Sequence, residues 1–429
     1  MNSSRVTFDH WEHRYAARME TMRSSAVRDL FAAASREDII SLSGGMPAVK
    51  LLNYEEVIKA ATNTLLKEGP VALQYGSSEG RLETRKLVCD LMEEVGVPKP
   101  DPANCVMLSG AQQGLDLLAK IFIDPGDVII CEGPTYVGAL QAFSAYEPDV
   151  HCIEVDDQGI RTDLLEEELN ILGRHGAKFI YVIPNFQNPT GVTMTLERRK
   201  ELVRLSREYD IPIIEDDPYG RLRYEGSPVP PLRSLDDSVI YLGTFSKIFS
   251  SGIRLGWLYA PEPIIKKIKL AKGGADLCGS AFSQIFAEHY FAETPWRETL
   301  ATFNEFYKVR RDAMLEAFEE FFPPEAHWTH PEGGFFIWIT LPPYVNTNEM
   351  VSTALDHGVV YVSGDGCFPD GRGYNALRVA FCYESPEDLR EAVRRLGEVF
   401  DERLELYRAF IKAGALPEWN PDSSKKGEN

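Results

Sequence analysis

The sequence predicts an α/β protein, with a mostly parallel sheet covered by helices on both faces, followed by a smaller α+β unit. Three observations support this prediction. Short apolar runs alternate with amphipathic helices from about residue 105 to residue 260, polar motifs follow the ends of several runs, and the pattern changes past about residue 300. Continuous apolar runs are typical of strands buried on both faces. A chain of 429 residues also exceeds one ordinary core, so two domains are expected.

The alternating pattern places each element of the first unit. The predicted strands are 105–108, 128–131, 150–155, 178–183, 211–215, 239–242 and 255–259. Between them, amphipathic helices are predicted at 113–122 and 195–208. In the second unit, helices are predicted at 305–321 and 389–410, and strands at 334–340 and 376–381.

These patterns divide the chain into four segments. Residues 1–48, with a helix from about 25 to 35, are expected to pack with the small domain. Residues 49–303 form the predicted large domain, and residues 304–420 form the predicted C-terminal small domain. The tail at 421–429 is polar and is expected to be disordered.

Composition limits the partners and the location. The formal charge of −20 argues against a nucleic-acid partner, because such partners require a basic surface. No apolar run approaches the ~20 residues of a membrane helix, and the charged N-terminus does not resemble a secretory signal. Seven scattered cysteines and eight histidines lack metal-ligand spacing. We therefore expect a cytoplasmic protein with reduced thiols, no metal and no membrane partner.

The most informative motif surrounds one lysine. Thr244-Phe-Ser-Lys247 follows the predicted strand at 239–242, and Arg254 comes shortly afterwards in Ser-Gly-Ile-Arg-Leu-Gly. Most lysines are solvated surface charges. An amine at a strand end among hydroxyls, glycines and an arginine instead suits a Schiff base to a phosphorylated aldehyde.

Three further motifs follow apolar strands. Ser109-Gly-Ala-Gln-Gln-Gly114 opens a helix, which suits a phosphate but equally a plain tight turn. In Pro184-Asn-Phe-Gln-Asn188-Pro-Thr-Gly191, Asn188 is placed to donate to a ligand oxygen, or the motif is an ordinary Asn-Pro turn. In Glu215-Asp216-Asp217-Pro-Tyr219, a carboxylate is placed to pair with a protonated ring nitrogen, or the motif is a helix cap or surface cluster.

Together, these segments supply phosphate donors, a ring-oxygen donor, a carboxylate and a lysine. With Asn-Pro-Thr-Gly and Ser-Lys…Arg in this order, the chain resembles the fold-type I aminotransferases of class I/II, which depend on pyridoxal 5'-phosphate (PLP). It is most similar to their 2-aminoadipate and kynurenine branch, from about Met22 to Arg395. The resemblance implies a large PLP-binding domain, with a mostly parallel seven-stranded sheet between helices, plus a smaller α+β domain.

The resemblance also implies catalytic roles. Lys247 matches the lysine that binds the cofactor aldehyde and moves a proton at the substrate α-carbon. Asp216 matches the partner of the pyridine nitrogen, and Tyr136 matches the aromatic ring that stacks on the cofactor. Asn188 and Tyr219 match the donors to the phenolic oxygen.

The same resemblance predicts the phosphate site. The matching residues are Gly110, Ala111, Gln112, Thr244, Ser246 and Arg254. The usual family residue at position 111 is serine, so alanine there predicts slightly weaker phosphate binding. Tyr75 matches a tyrosine that reaches the phosphate of a neighbouring subunit, which implies a homodimer with shared active sites; otherwise it is a core aromatic on an ordinary loop.

Substrate-binding residues are predicted in the same way. Arg378 interrupts an apolar strand and matches the arginine that clamps the substrate α-carboxylate, with a structural ion pair as the alternative. Asn188 and Gly45 are expected to border the substrate. Ser25 and Arg28 lie three residues apart and match groups that meet a distal carboxylate, unless Arg28 is an ordinary solvated residue or the nearby Arg23 takes the role.

The implied reaction moves an amino group from an L-amino acid to a 2-oxo acid in two half-reactions. The expected donors are 2-aminoadipate, glutamate or aromatic, kynurenine-like amino acids, and the expected acceptor is 2-oxoglutarate. A PLP-dependent lyase or decarboxylase on the same scaffold is an alternative. A ligand-sensing regulator is a second alternative, disfavoured because about 45 residues precede the family core and the chain is acidic.

Overall fold

The computed structural model describes residues 9–20, 22, 38–416 and 419. The helix predicted near residues 25–35, with Ser25 and Arg28, lies outside these described residues, as does the predicted tail at 421–429. Short 3₁₀ turns cover Glu12–Arg14, Ala17–Glu20, Val49–Leu51, Pro102–Asn104 and Gly364–Cys367.

Helices and strands alternate regularly through the large unit and less regularly in the C-terminal unit. The helices are α1 (Tyr54–Ala72), α2 (Leu82–Glu94), α3 (Ala111–Phe122), α4 (Val137–Ser144), α5 (Thr162–Leu172), α6 (Leu196–Tyr209), α7 (Leu232–Leu235), α8 (Glu262–Ala275), α9 (Ala281–Glu293), α10 (Trp296–Phe321), α11 (Val351–Asp356) and α12 (Pro386–Lys412). The strands are β1 (Ile40–Ser41), β2 (Cys105–Leu108), β3 (Val128–Gly133), β4 (Asp149–Asp156), β5 (Gly159–Ile160), β6 (Ile180–Val182), β7 (Ile213–Asp216), β8 (Ile240–Thr244), β9 (Gly256–Tyr259), β10 (His327–Trp328), β11 (Phe336–Thr340), β12 (Val359–Val360), β13 (Val362–Ser363) and β14 (Ala376–Ala380).

The large sheet has eight strands in the order β2-β9-β8-β7-β6-β3-β4-β5. Strands β8, β7, β6, β3 and β4 run parallel, and β9 runs antiparallel to both of its neighbours. The α/β fold is confirmed, and each of the seven predicted strands is present. The eighth strand, β5, was missed because it is a two-residue return against β4, too short for a hydrophobic pattern.

The apolar strands of this sheet are buried between two layers of helices. All residues of β2, β7 and β8 are buried. One face packs Leu108, Ile214 and Leu242 against α3, α4 and α8. The opposite face packs Ile130 and Ile213 against α5 and α6. The carboxyl ends of the parallel strands therefore meet at one edge, where the predicted motifs follow them.

The second unit is built on a four-stranded antiparallel sheet in the order β10-β11-β14-β13. Helices α10 and α12 pack against each other, and β1 pairs in parallel with β12. The predicted boundary at 303–304 lies inside α10, which begins at Trp296. We propose the four-segment division as a working description of the chain.

None of the helices within the described ranges is long and apolar enough to cross a membrane. Across the same ranges, histidine, cysteine, aspartate and glutamate side chains form no group of three or more that could hold a metal ion.

Candidate active site

A cavity of about 180 Å³ lies at the carboxyl edge of the large sheet. Its lining residues come from α3 and from the segments after β3, β6, β7 and β8. They are Ala111, Gln112, Leu115, Tyr136, Ile183, Asn188, Asp216, Pro218, Tyr219, Thr244, Ser246, Lys247, Ser251 and Arg254. The structure thus brings together most of the residues predicted to hold the cofactor.

Lys247 lies in this cavity three residues after the end of β8. Its Nζ donates a 2.8 Å hydrogen bond to the carbonyl oxygen of Gly45 and lies 5.4 Å from the ring centroid of Phe335. Burial, together with the positive charges of Arg378 and Arg254, lowers the pKa of Lys247 to about 8. A lysine with this pKa has a far larger neutral fraction near neutral pH than an ordinary lysine, as a nucleophile or proton carrier requires.

Asp216 is the last residue of β7, and its side chain is buried. Its Oδ2 accepts a 2.8 Å hydrogen bond from the Tyr181 hydroxyl, whereas its buried Oδ1 has no hydrogen-bond partner. Burial raises the pKa of Asp216 to about 7, and the Tyr181 hydrogen bond opposes that rise. A buried carboxylate oxygen without a donor, at the wall of a cavity, fits a protonated ring nitrogen from a ligand.

Three side chains that line the cavity, those of Tyr136, Asn188 and Tyr219, come from the segments after β3, β6 and β7. Tyr136 follows β3, and its packing requires glycine at position 138, because a Cβ there would overlap the Tyr136 ring. Tyr219 is buried and makes an edge contact with Phe335 at 5.5 Å between ring centroids. Asn188 uses its Oδ1 to accept from Arg378, which leaves its Nδ2 as a donor toward the cavity.

A buried hydrogen-bond network fixes the loop that carries Asn188. The Gln187 side chain donates to the carbonyl oxygen of Pro134 at 2.7 Å and accepts from the backbone N–H of Thr190. Glu132 accepts from the backbone N–H of Ile183 at 2.9 Å, and burial raises the pKa of Glu132 to about 8. These contacts tie the segments after β3 and β6 together, so Tyr136 and Asn188 are held in a fixed relation.

The opposite end of the cavity has the features of an anion site. Gly110 precedes α3 with φ of 81°, and a Cβ there would overlap the Arg254 guanidinium. The first N–H groups of α3 have no acceptor within their own helix. Thr244 and Ser246 are joined by a 2.9 Å hydroxyl contact. Arg254 contacts only carbonyl oxygens and makes no ion pair with a carboxylate of the described chain, so its charge is available for an anion.

Arg378 lies in the middle of β14 and is 4% exposed. Its guanidinium donates to Asn188 Oδ1 at 3.0 Å and to the Ser43 carbonyl oxygen at 2.6 Å, and it lies 4.1 Å from the ring centroid of Phe336. No carboxylate within the described part of the chain pairs with it, and its buried Nε has no partner. The predicted alternative, a structural ion pair, therefore finds no partner among these residues.

Other predicted residues lie at or beyond the edge of the site. Gly45 reaches Lys247 through its carbonyl oxygen, and a Cβ at position 45 would lie 2.6 Å from the Phe336 ring. Tyr75 is 79% exposed and does not line the cavity. Ser25 and Arg28 lie outside the described residues.

Sequence reasoning missed several residues of the site. Tyr181 lies within an apolar strand, where only its buried hydroxyl signals a need for a partner. The sequence predicts Phe336 only as part of an apolar strand, whereas its ring lies under Arg378 and against Gly45. Ser43 contributes a backbone carbonyl oxygen, which leaves no trace in side-chain chemistry.

Comparisons with known proteins agree with this geometry. The family model "Aminotransferase class I and II" matches residues 37–396, and the chain belongs to this family. An aromatic-amino-acid aminotransferase 1 from Thermococcus litoralis is 42% identical, over 92% of this chain and 95% of the relative. A 2-aminoadipate transaminase from Thermus thermophilus is 35% identical, over 90% and 96%. The solved structure of Pyrococcus horikoshii kynurenine aminotransferase in complex with PMP is 41% identical, with a TM-score of 0.88 over 92% of this chain and 98% of that one.

The protein is therefore a PLP-dependent aminotransferase that transfers amino groups between amino acids and oxo acids. The residues present fit the cofactor on three counts. The orphaned Asp216 Oδ1 suits the ring nitrogen, the unpaired Arg254 beside Gly110 suits the phosphate, and the Lys247 amine lines the same cavity.

Proposed function

We propose that the enzyme moves an amino group from an L-amino acid to 2-oxoglutarate by a ping-pong mechanism. The observation that carries this proposal is the buried Arg378, which lacks a carboxylate partner in the described chain and shares Asn188 with the cofactor cavity. An unpaired buried guanidinium is costly unless a ligand anion completes it. The α-carboxylate common to amino acids and 2-oxo acids has the geometry for a bidentate contact.

Each side chain has a definite task in this proposal. When bound, PLP supplies an electron sink for the bond that breaks at the substrate α-carbon. Arg378 binds the carboxylate, and Lys247 carries the proton at the α-carbon. Asp216 holds a proton on the ring nitrogen, and Tyr136 packs against the ring to keep it planar.

The remaining cofactor contacts are proposed on the same grounds. Asn188 and Tyr219 donate to the phenolic oxygen of the ring. The phosphate is bound by the backbone of Gly110, Ala111 and Gln112, by Thr244 and Ser246, and by Arg254. The fixed donors of α3 and the charge of Arg254 hold the phosphate end while the other end reacts.

Transamination and lyase chemistry are separated by the products of one half-reaction. The holoenzyme is mixed with a single amino acid and no acceptor, and absorbance of the bound cofactor is followed beside product analysis. We expect one equivalent of 2-oxo acid per site, and recovery of the original spectrum on adding 2-oxoglutarate. Release of carbon dioxide, or of free ammonia over many turnovers without an acceptor, would show a decarboxylase or a lyase instead.

For the donors, we propose 2-aminoadipate, glutamate and aromatic or kynurenine-like amino acids. The names of the relatives given above refer to such compounds. By family resemblance, Ser25 and Arg28 supply a site for a distal carboxylate. Arg28→Ala is expected to raise KM for glutamate and 2-oxoglutarate, with a smaller effect for aromatic donors. Arg23→Ala is the matched control, since it removes the same charge five residues away; equal losses in both variants would contradict the assignment.

We also propose a homodimer with shared active sites. Support comes from exposed apolar side chains on α1 and the loop after it, namely Tyr54, Ile58, Leu65, Leu66, Leu73 and Tyr75. An exposed apolar patch of this kind is typical of an interface. Hybrids of Lys247→Met and Tyr75→Phe subunits test the sharing. If Tyr75 serves the neighbouring site, mixing restores activity in one site of each hybrid; if it serves its own site, mixing restores none.

A cytoplasmic location is proposed as well. All seven cysteines are unpaired in the structure, and several are fully buried. Unpaired thiols persist in a reducing compartment. Fractionation of the source cells, with activity compared between fractions, tests this location.

A further inference from the structure

Two consecutive aspartates face opposite sides of the large sheet, and each meets a tyrosine from a neighbouring strand. Tyr181 of β6 pairs in register with Ile214, two residues before Asp216. Tyr241 of β8 pairs with Glu215, two residues before Asp217. Because side chains alternate between faces along a strand, each tyrosine shares a face with its own aspartate.

The two carboxylates differ in how well they are satisfied. Asp217 accepts from the Tyr241 hydroxyl at 2.8 Å, and from Asn185 Nδ2 and the Gly220 N–H, both at 2.9 Å. Asp216 accepts from Tyr181 at 2.8 Å, while its other oxygen has no partner. Within the described chain, Tyr181 is thus the single hydrogen-bond donor to a carboxylate aimed at the cofactor cavity.

We propose that Tyr181 is a positioning residue that holds Asp216 Oδ2, directs Oδ1 toward the ring nitrogen of the cofactor, and keeps the shared proton on that nitrogen. The inference rests on the proposed role of Asp216 and adds a residue that positions the Asp216 carboxylate. The hydroxyl of Tyr181 is not in a position to touch the substrate, since its ring is fully buried in the core beneath the sheet edge.

Packing gives Tyr181 the rigidity that this role requires. Its ring is 0% exposed and contacts Phe143 edge-on, with 5.5 Å between ring centroids. A donor held in this way fixes the carboxylate plane without losing further side-chain freedom.

The charges around Asp216 explain why a donor is needed. Burial and the neighbouring Asp217 disfavour its ionised form, and Glu132 lies close enough to interact with it. No lysine, arginine or histidine of the described residues forms an ion pair with Asp216, so the Tyr181 hydrogen bond is the stabilising contact for the anion. Without it, the carboxylate becomes more basic and competes with the ring nitrogen for their shared proton.

Tyr181→Phe and Tyr241→Phe form a matched pair. Each variant removes one buried tyrosine hydroxyl, which donates a hydrogen bond to one of the two aspartates. Both variants are reconstituted with PLP labelled with ¹⁵N at the ring nitrogen, and the ¹⁵N chemical shift is measured at neutral pH. In Tyr181→Phe we expect the shift to move toward that of unprotonated pyridine, and the cofactor dissociation constant to rise about tenfold. In Tyr241→Phe the shift should stay at the wild-type value, although thermal stability falls in both variants.

A wild-type ¹⁵N shift in Tyr181→Phe, or an equal displacement in Tyr241→Phe, would overturn the inference. Should Tyr181→Phe fail to fold, fluorotyrosine at position 181 keeps the shape and strengthens the donor. It should move the proton further toward the ring nitrogen, and no change would count against the inference.

An Asp216→Asn variant separates this inference from the proposed function on which it rests. If Asp216→Asn displaces the ¹⁵N shift and Tyr181→Phe does not, the role of Tyr181 alone is wrong. If Asp216→Asn leaves the shift at its wild-type value, the proposed role of Asp216 is wrong as well.

Discussion

Two parts of the proposed site, which we call the phosphate end and the carboxylate end, are assembled from different parts of the chain. The phosphate end uses the loop after β2, the end of β8 and the turn before β9, and these three strands are neighbours in one sheet. The carboxylate end joins Ser43, Asn188 and Arg378, whose contacts span 190 and 335 positions along the sequence. One end is a product of a single sheet, whereas the other exists only where separate units of the chain meet.

This difference has a functional consequence. Within one subunit, the proposed phosphate end is built on the large sheet alone, so we expect it to bind the cofactor independently of the substrate residues. The carboxylate end depends on how the N-terminal segment and β14 lie against the Asn188 loop. Substitutions at the two ends should therefore separate cofactor affinity from substrate affinity, whereas a substitution of Lys247 should affect chemistry above all.

The largest expected effect comes from Lys247→Met, which removes the amine that lines the cofactor cavity. We expect the half-reaction rate to fall at least about 10³-fold, since both the covalent attachment and the proton carrier are lost. Stopped-flow absorbance of the bound cofactor measures this rate. Borohydride treatment of the wild type should label Lys247 and leave unlabelled Lys272, a buried lysine that pairs with Asp276. A label at any other lysine would contradict the assignment.

Next in size is the effect of Arg378→Lys, which keeps the charge and removes the bidentate fork. We expect kcat/KM for amino acids to fall at least about 30-fold, with cofactor affinity changed less than about twofold. Arg310→Lys is the matched control, because Arg310 is also buried and stacks on an aromatic ring, that of Phe306. If Arg378→Lys weakened cofactor and substrate equally, the two ends would not be separable.

Arg254→Gln tests the phosphate end, where we expect cofactor affinity to change and substrate affinity to stay nearly constant. The cofactor dissociation constant should rise about tenfold, as expected for a hydrogen bond to a charged group, while KM for the amino acid stays nearly constant in the saturated enzyme. Equilibrium dialysis of PLP measures the first value. Lys266→Gln removes the same charge from the exposed surface of α8 and should leave both values unchanged. A comparable loss in that control would point to net charge rather than to the site.

The same comparison explains what the sequence could and could not reveal. The seven long strands were predictable because burial on both faces forces continuous apolar runs, and strand ends at one edge bring their motifs together. Lys247, Asp216, Asn188 and Arg254 therefore converge as side chains from one sheet.

The carboxylate end was harder to predict, because long-range packing creates it. Ser43 acts through a backbone carbonyl oxygen, and Phe336 is indistinguishable from a core residue until Arg378 lies over its ring. Tyr181 could be identified only once the register of β6 and β7 placed its hydroxyl against Asp216. Of these residues, only Arg378 carried a signal in the sequence, as a charge within an apolar strand.

The pH dependence of cofactor capture provides a smaller, graded test. Because burial lowers the pKa of Lys247 to about 8, its neutral form should predominate above that pH. The rate at which the apoenzyme captures PLP should therefore rise with pH, with a midpoint near 8. Arg378→Gln should move the midpoint upward by removing a nearby positive charge. A small amine with an ordinary pKa is the control, and an enzyme profile that parallels it would contradict the lowered pKa.

The smallest expected effect comes from Ala111→Ser, which places a hydroxyl at the first residue of α3. One added hydrogen bond from a neutral hydroxyl to the phosphate should tighten PLP binding about two- to tenfold. Substrate KM should not change, because position 111 belongs to the phosphate end alone. Ala111→Cys is the matched control, since a thiol has nearly the same size and donates weakly. Equal affinities in the two variants would show that the backbone N–H groups and Arg254 already satisfy the phosphate, and that the hydroxyl usual at this position in the family is dispensable in this chain.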